Sequence, residues 1–117
     1  MSSTHLTLNL VEGSVSFNFS PTAAKELKGE INVLMENLRV IANHQSSGKS
    51  KANPQPPMEY QHTGEVFLEI FCNPNIWSTP FAAKVLITIR GTNIRLTTEA
   101  ELTRIVEDIN QYLEQNT

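Results

Sequence analysis

The stretch VLITIRGTNIRLTTEAELTRIVEDINQYL, residues 85–113, carries strand, turn and helix signals in one continuous run. Val85, Ile87 and Ile89 alternate with Leu86, Thr88 and Arg90, a period of two that places the first set on one face of a strand. Gly91-Thr92 offers a two-residue turn, after which Ile94 and Leu96 resume the apolar face. Setting Arg90 opposite Asn93 brings Ile89 against Ile94 and Ile87 against Leu96. Thr98-Glu99-Ala100-Glu101 has the form of a capping box, in which the Thr98 hydroxyl oxygen accepts the Glu101 N–H and the Glu101 carboxylate accepts the Thr98 N–H. A helix is predicted from this point, with Leu102, Ile105, Val106, Ile109 and Leu113 as its buried stripe.

The N-terminal half repeats the pattern. Leu6, Leu8 and Leu10 alternate with Thr7 and Asn9, and Val15, Phe17 and Phe19 alternate with Ser16 and Asn18. With Glu12-Gly13 as the turn, Leu10 faces Val15, Leu8 faces Phe17 and Leu6 faces Phe19. Ser20-Pro21 then predicts a helix start, since Ser caps well and Pro at the first helical position loses no needed N–H. Leu27, Ile31, Leu34, Leu38 and Ile41 form the seam of that helix, while Val33 and Val40 lie a heptad apart on another side.

Residues 44–63 are rich in Ser, Pro, Asn and Gln, with Met58 and Tyr60 the only sizeable apolar groups, and predict a mobile loop, a tolerated insertion or a lid. Residues 65–72 predict a strand that is apolar on both faces: Val66, Leu68, Ile70 and Cys72 on one, Phe67 and Phe71 flanking Glu69 on the other. Such a strand is central, or covered on its second face by the loop or a partner. Residues 73–81, with Asn73, Pro74, Asn75 and Pro80, form an irregular connection that carries Trp77 and Phe81.

These elements define an α+β fold: one two-layer domain over residues 1–117, in the order ββαβββα. It has a mainly antiparallel sheet of about five strands and two helices on one face. From Pro21 onward the order helix, three strands, helix resembles a double-stranded RNA-binding domain in topology. Such a module carries a basic cluster at the start of its last helix, where this chain has Thr97-Thr98-Glu99-Ala100-Glu101, so the resemblance implies no RNA affinity.

With 117 residues and a net charge of −3, the chain disfavours non-specific nucleic-acid binding. The single Cys72 and the absence of a charged-then-apolar leader in residues 1–12 predict an intracellular, cytoplasmic location, and no apolar run is long enough to span a bilayer. No cofactor is expected. Cys72 has no nucleophile motif with His5, His44 or His62, and one Cys with three scattered His lacks the paired spacing of a zinc site. The five glycines, Gly13, Gly29, Gly48, Gly64 and Gly91, are isolated and form no phosphate loop. Glu65 with Glu69, and Glu107-Asp108, are the available carboxylate pairs, and both read as surface charge.

The expectation is therefore a non-enzymatic interaction or regulatory module that associates with itself, most simply as a dimer, or with another protein. Its candidate contacts are Phe67, Phe71, Trp77 and Phe81. One alternative is a small-molecule site under the 44–63 loop, walled by Tyr60, Trp77 and Phe81 with Arg90 or Arg95 as anion anchor. Another is weak nucleic-acid binding through Lys84, Arg90 and Arg95, which share the outer side of the C-terminal hairpin with Thr88.

Overall fold

A computed structural model of the chain describes residues 5–46 and 54–116. The fold is α+β. Its elements are β1 (His5–Asn9), β2 (Ser14–Asn18), α1 (Pro21–Ser46), β3 (Met58–Thr63), β4 (Phe67–Cys72), a single 3-10 turn (Pro74–Ile76), β5 (Lys84–Arg90), β6 (Arg95–Glu101) and α2 (Leu102–Asn116). The strands form two antiparallel sheets, β1-β2 and β3-β4-β5-β6, instead of one sheet of about five. Four strands now separate the helices, so the topological resemblance to a double-stranded RNA-binding domain does not hold.

The extra strand lies inside the stretch expected as a mobile loop. Residues 44–46 complete α1, residues 58–63 are β3, and residues 47–53 lie outside the described part. An edge strand needs only one apolar face. Met58 and Tyr60 supply it, both buried, while Glu59 and Gln61 point the other way and β4 supplies the backbone partners.

Ser20 caps α1 as its position dictates, its hydroxyl accepting the Ala23 N–H at 3.1 Å. Leu27, Ile31, Leu34, Leu38 and Ile41 are all buried, and Val33 and Val40 are exposed. The α1 and α2 stripes share one core with the inner face of the larger sheet, which presents Met58, Tyr60, Leu68, Ile70, Cys72, Val85, Ile87, Ile89 and Ala100. The β1-β2 hairpin adds Leu6, Leu8, Phe17 and Phe19 to that core from the side of α2.

Polar contacts tie this hairpin down. Buried Asp108 on α2 accepts the Asn9 backbone N–H and the Asn9 side-chain N–H, both at 2.8 Å. The Tyr112 hydroxyl donates to the Phe19 carbonyl, and the Val11 N–H donates to the Glu99 carbonyl on β6 at 3.3 Å.

Both hairpins close two residues away from the expected register. Leu8 faces Val15 and Leu6 faces Phe17, because Leu10 N–H bonds the Gly13 carbonyl and the chain reverses at Val11-Glu12, with Gly13 following at φ 80°. In the second hairpin Ile89 faces Leu96 and Ile87 faces Thr98, because Gly91 N–H bonds the Ile94 carbonyl and Thr92-Asn93 make the turn. In each case glycine flanks the reversal instead of forming it. A shift of two keeps every side chain on its face, so the core set survives while Ile94 moves to the exposed loop.

The capping box is overturned. Residues 98–101 belong to β6, Thr98 pairs with Ile87, and Ala100 is fully buried opposite Val85. The ladder runs on past the strand, Leu102 N–H donating to the Ala83 carbonyl at 3.0 Å, so α2 starts at Leu102 with no loop. Continuous pairing with β5 plus burial of Ala100 outweighs a cap contact of about 1 kcal/mol.

Candidate interaction surface on the open sheet

The four-strand register fixes which side chains share the face opposite the helices. Reading across β3, β4, β5 and β6, one end row is Thr63, Phe67, Arg90 and Arg95, and the next is Gln61, Glu69, Thr88 and Thr97. The third row is Glu59, Phe71, Leu86 and Glu99, and Lys84 with Glu101 completes the far end. Phe71 and Leu86 are direct cross-strand neighbours, 37% and 43% exposed. The Arg90 guanidinium lies over the Phe67 ring, 4.2 Å from its centroid, and the Gln61 amide donates to Glu69 at 2.7 Å.

Phe67 and Phe71 are thus brought to one surface with Leu86. Trp77 and Phe81 take other positions. Trp77 follows the 3-10 turn, is half-buried and packs against the core, whereas Phe81 is 81% exposed in the bend before β5. The indole N–H of Trp77 is buried without a well-formed hydrogen bond, and its weak interaction with the Cys72 sulfur only partly opposes the burial that raises that thiol. Trp77 therefore caps the core near Cys72.

Arg90 and Arg95 stand opposite each other, but Lys84 lies at the far end of β5, roughly 20 Å away at ~3.3 Å per residue, opposite Glu101. Glu59, Glu69, Glu99 and Glu101 occupy the same face. The walls named for a ligand site are also divided: Tyr60 is on the inner face beneath α1, and Arg90 and Arg95 are on the outer one. An indentation of about 350 Å³ beside the start of α2 is lined by Asn9, Leu10, Glu101, Thr103, Arg104 and Glu107 and contains no aromatic wall.

Sequence reasoning missed Glu59 and Gln61, hidden in the Pro-rich stretch, and Glu99 and Glu101, assigned to a helix. The alternation Met58-x-Tyr60-x-His62 was the available signal for the first pair.

The buried Cys72 thiol is pushed up to about 11 by desolvation, which keeps it protonated and unreactive near neutrality. His62 packs edge-on to Phe19, ring centroids 4.9 Å apart. Among the described residues no three His, Cys, Asp or Glu side chains come together as a metal site, and no helix is long and apolar enough to cross a membrane. Glu65 accepts from the Asn18 amide and Asp108 from the Asn9 N–H groups, so one carboxylate of each pair is held by an asparagine.

Burial gives the fold a calculable alkaline weakness. Cys72 rises from 9.0 to about 11, and Tyr60 from 10.0 to about 12, through burial and then the nearby Glu26 and Glu30 carboxylates. Between the ordinary and raised values the folded chain binds more protons than the unfolded one, so stability falls as pH rises. The Cys72 contribution is complete below pH 9.0 and gone above about 11. Urea midpoints are expected to be level to about pH 9 and to decline beyond it, with a shallower decline in Cys72→Ala. A midpoint unchanged up to pH 11 would contradict this account of the two groups.

No family model, curated protein or solved structure matches the chain.

Proposed function

We propose that this chain is a non-enzymatic protein-interaction module that docks a protein on the outer face of its four-stranded sheet, within a reducing compartment such as the cytoplasm. The observation that carries the reading is the Phe71–Leu86 pair. Two large apolar side chains stand side by side on a sheet face that neither helix covers, framed by charges. Scattered exposed apolar residues need no explanation, but an adjacent pair inside a charged frame has the composition of an interface centre with a polar rim. The buried, protonated Cys72 thiol supports a role without covalent chemistry at that residue.

Site-specific photo-cross-linking in cells tests this. A benzophenone side chain at position 86 is expected to give a discrete adduct, whereas the same probe at Lys28 on the exposed side of α1 gives none. Phe71→Ser in the same chain should abolish the adduct. Absence of any adduct from position 86 overturns the reading.

A further inference from the structure

We propose that the free edge of β3 accepts an extended peptide as a fifth strand of the larger sheet, with an apolar side chain of that peptide beside Met58 and a lysine side chain beside Tyr60. This site is separate from the outer-face surface and does not depend on it.

β3 ends the sheet order β3-β4-β5-β6, and among the described residues only β4 pairs with it. Alternate residues of a strand aim their N–H and C=O groups at opposite neighbours, so half of those on β3 point away from β4. Pro56 and Pro57 have no N–H to offer, which sets the start of the usable edge at Met58. Two recesses follow this edge where it passes α1. The first, about 340 Å³, is lined by Glu59, Tyr60 and Gln61 from the strand and by Glu26 and Glu30 from the helix. The second, about 220 Å³, lies around Met58 and the two prolines, with Glu30, Val33, Leu34 and Asn37 of the helix opposite. Glu26, Glu30, Val33 and Asn37 recur at intervals of four, three and four residues, so one stripe of α1 walls both recesses.

The recesses have the spacing of a strand. Met58 and Tyr60 are alternate residues on the inner face, ~6.6 Å apart, and an added strand repeats its own side chains at the same interval. Side chains opposite Met58 and Tyr60 therefore enter the two recesses in turn. Strand addition draws affinity from main-chain hydrogen bonds and specificity from such pockets for alternate side chains.

Their chemistry differs. Val33, 59% exposed, stands with Pro57 and Met58 in the walls of the second recess and suits an aliphatic side chain. The first holds three carboxylates and no basic side chain, and among the described residues none of the three has an ion-pair partner. Tyr60 is 7% exposed, and its hydroxyl is buried with no hydrogen-bond partner. Burial, and then the carboxylates of Glu26 and Glu30, push that hydroxyl up to about 12, so it stays neutral and feels both charges. A lysine ammonium brings what this recess lacks: a positive charge and three N–H donors, for the Tyr60 oxygen and the two helix carboxylates. The carboxylates do not gather on one point as a metal ion requires, whereas a lysine stem can reach among them from the added strand.

The blocked peptide TVTKTVT tests the site, its central lysine having a valine two residues away on either side so that it fits the edge in either direction. Titrated from about ten micromolar to a few millimolar into the full chain labelled with nitrogen-15, it is expected to bind weakly, as a one-strand interface does. The shifted amides should be those of residues 58–63 and of α1 around Glu26 and Glu30. Replacing the peptide lysine by glutamate, or Glu26→Gln with Glu30→Gln in the chain, should weaken binding by on the order of tenfold. Tyr60→Phe should also weaken it while leaving the fold at least as stable, because the hydroxyl removed is unpaired in the free chain. N-methylation of alternate peptide residues should abolish binding for the set whose N–H groups face β3 and spare the other set. Leu86→Ser, on the outer face, should leave the titration unchanged, which keeps this site distinguishable from the one proposed there. Urea unfolding verifies the fold of each variant. Absence of shifts at the highest concentration, equal binding of the lysine and glutamate peptides, tolerance of both methylated sets, or shifts confined to the outer face around Phe71 and Leu86 overturns the inference.

Discussion

Replacing Asp108 by Leu is expected to lower the thermal midpoint by on the order of 10 °C or more, although the side chain touches no candidate contact residue. Asp108 is 6% exposed and its two oxygens accept the backbone and side-chain N–H groups of Asn9, both at 2.8 Å. Those are hydrogen bonds to a charged acceptor, worth about 1.5–3 kcal/mol each. Leucine removes both and leaves the end of β1 facing an apolar side chain, with the Asn9 N–H groups unsatisfied. Arg104, 3.9 Å from the carboxylate and 56% exposed, can turn to water and contributes little to the loss. The net cost is about 3–5 kcal/mol, a large part of the stability of a domain this size. Asp108→Asn keeps an acceptor and should fall between wild type and Leu. Thermal melts followed by circular dichroism decide it, and a drop under about 3 °C for Leu would show that Asn9 finds other partners.

The second large effect separates two structures for residues 98–101. Ala100→Asp is expected to destabilise the fold by about 3–5 kcal/mol, whereas Thr98→Ala should cost no more than about 1 kcal/mol. If Thr98 capped a helix, Ala100 would sit in its first turn, where an aspartate interacts favourably with the helix dipole and stabilises by some tenths of a kcal/mol. In β6, Ala100 is fully buried opposite Val85, and an aspartate there is an unpaired charge in the core. The sign of the Ala100→Asp effect is therefore opposite in the two cases. Urea unfolding of both variants gives the answer directly, and a stabilised Ala100→Asp would restore the helical reading.

That contrast shows what the chain made legible and what it concealed. Which side chains face the core follows from a period of two or of 3.6, and Val85, Ile87, Ile89, Leu27, Ile31, Leu34 and Leu38 are all where those periods place them. Register does not follow from the same pattern, because sliding a strand by two residues leaves the pattern satisfied, and only turn hydrogen bonds at Leu10–Gly13 and Gly91–Ile94 choose between the options. The capping box was a sound local signal that lost to a non-local one, a β5 partner long enough to hold residues 98–101. β3 was concealed because its partner β4 completes what its own composition lacks.

The candidate surface was half legible for the same reason. Phe67 and Phe71 were visible from β4 alone, and so were the arginines of the last hairpin. That Glu59, Glu99 and Glu101 lie on the same face depends on strand neighbours that no local window contains. Trp77, conspicuous between prolines, turned out to be packed beside Cys72.

The direct passage from β6 to α2 acts as a phase lock. The ladder still engages Leu102, the first residue of α2, so no slack lies between sheet and helix. An α-helix turns about 100° per residue, so one residue added or removed at this junction rotates the stripe of Leu102, Ile105, Ile109 and Leu113 by more than a quarter turn. The stripe would then leave the core, and Asp108 would swing away from Asn9 with it. The spacing from Ala100 to Asp108 is in this sense indivisible: substitutions can be absorbed along it, but a change of length cannot.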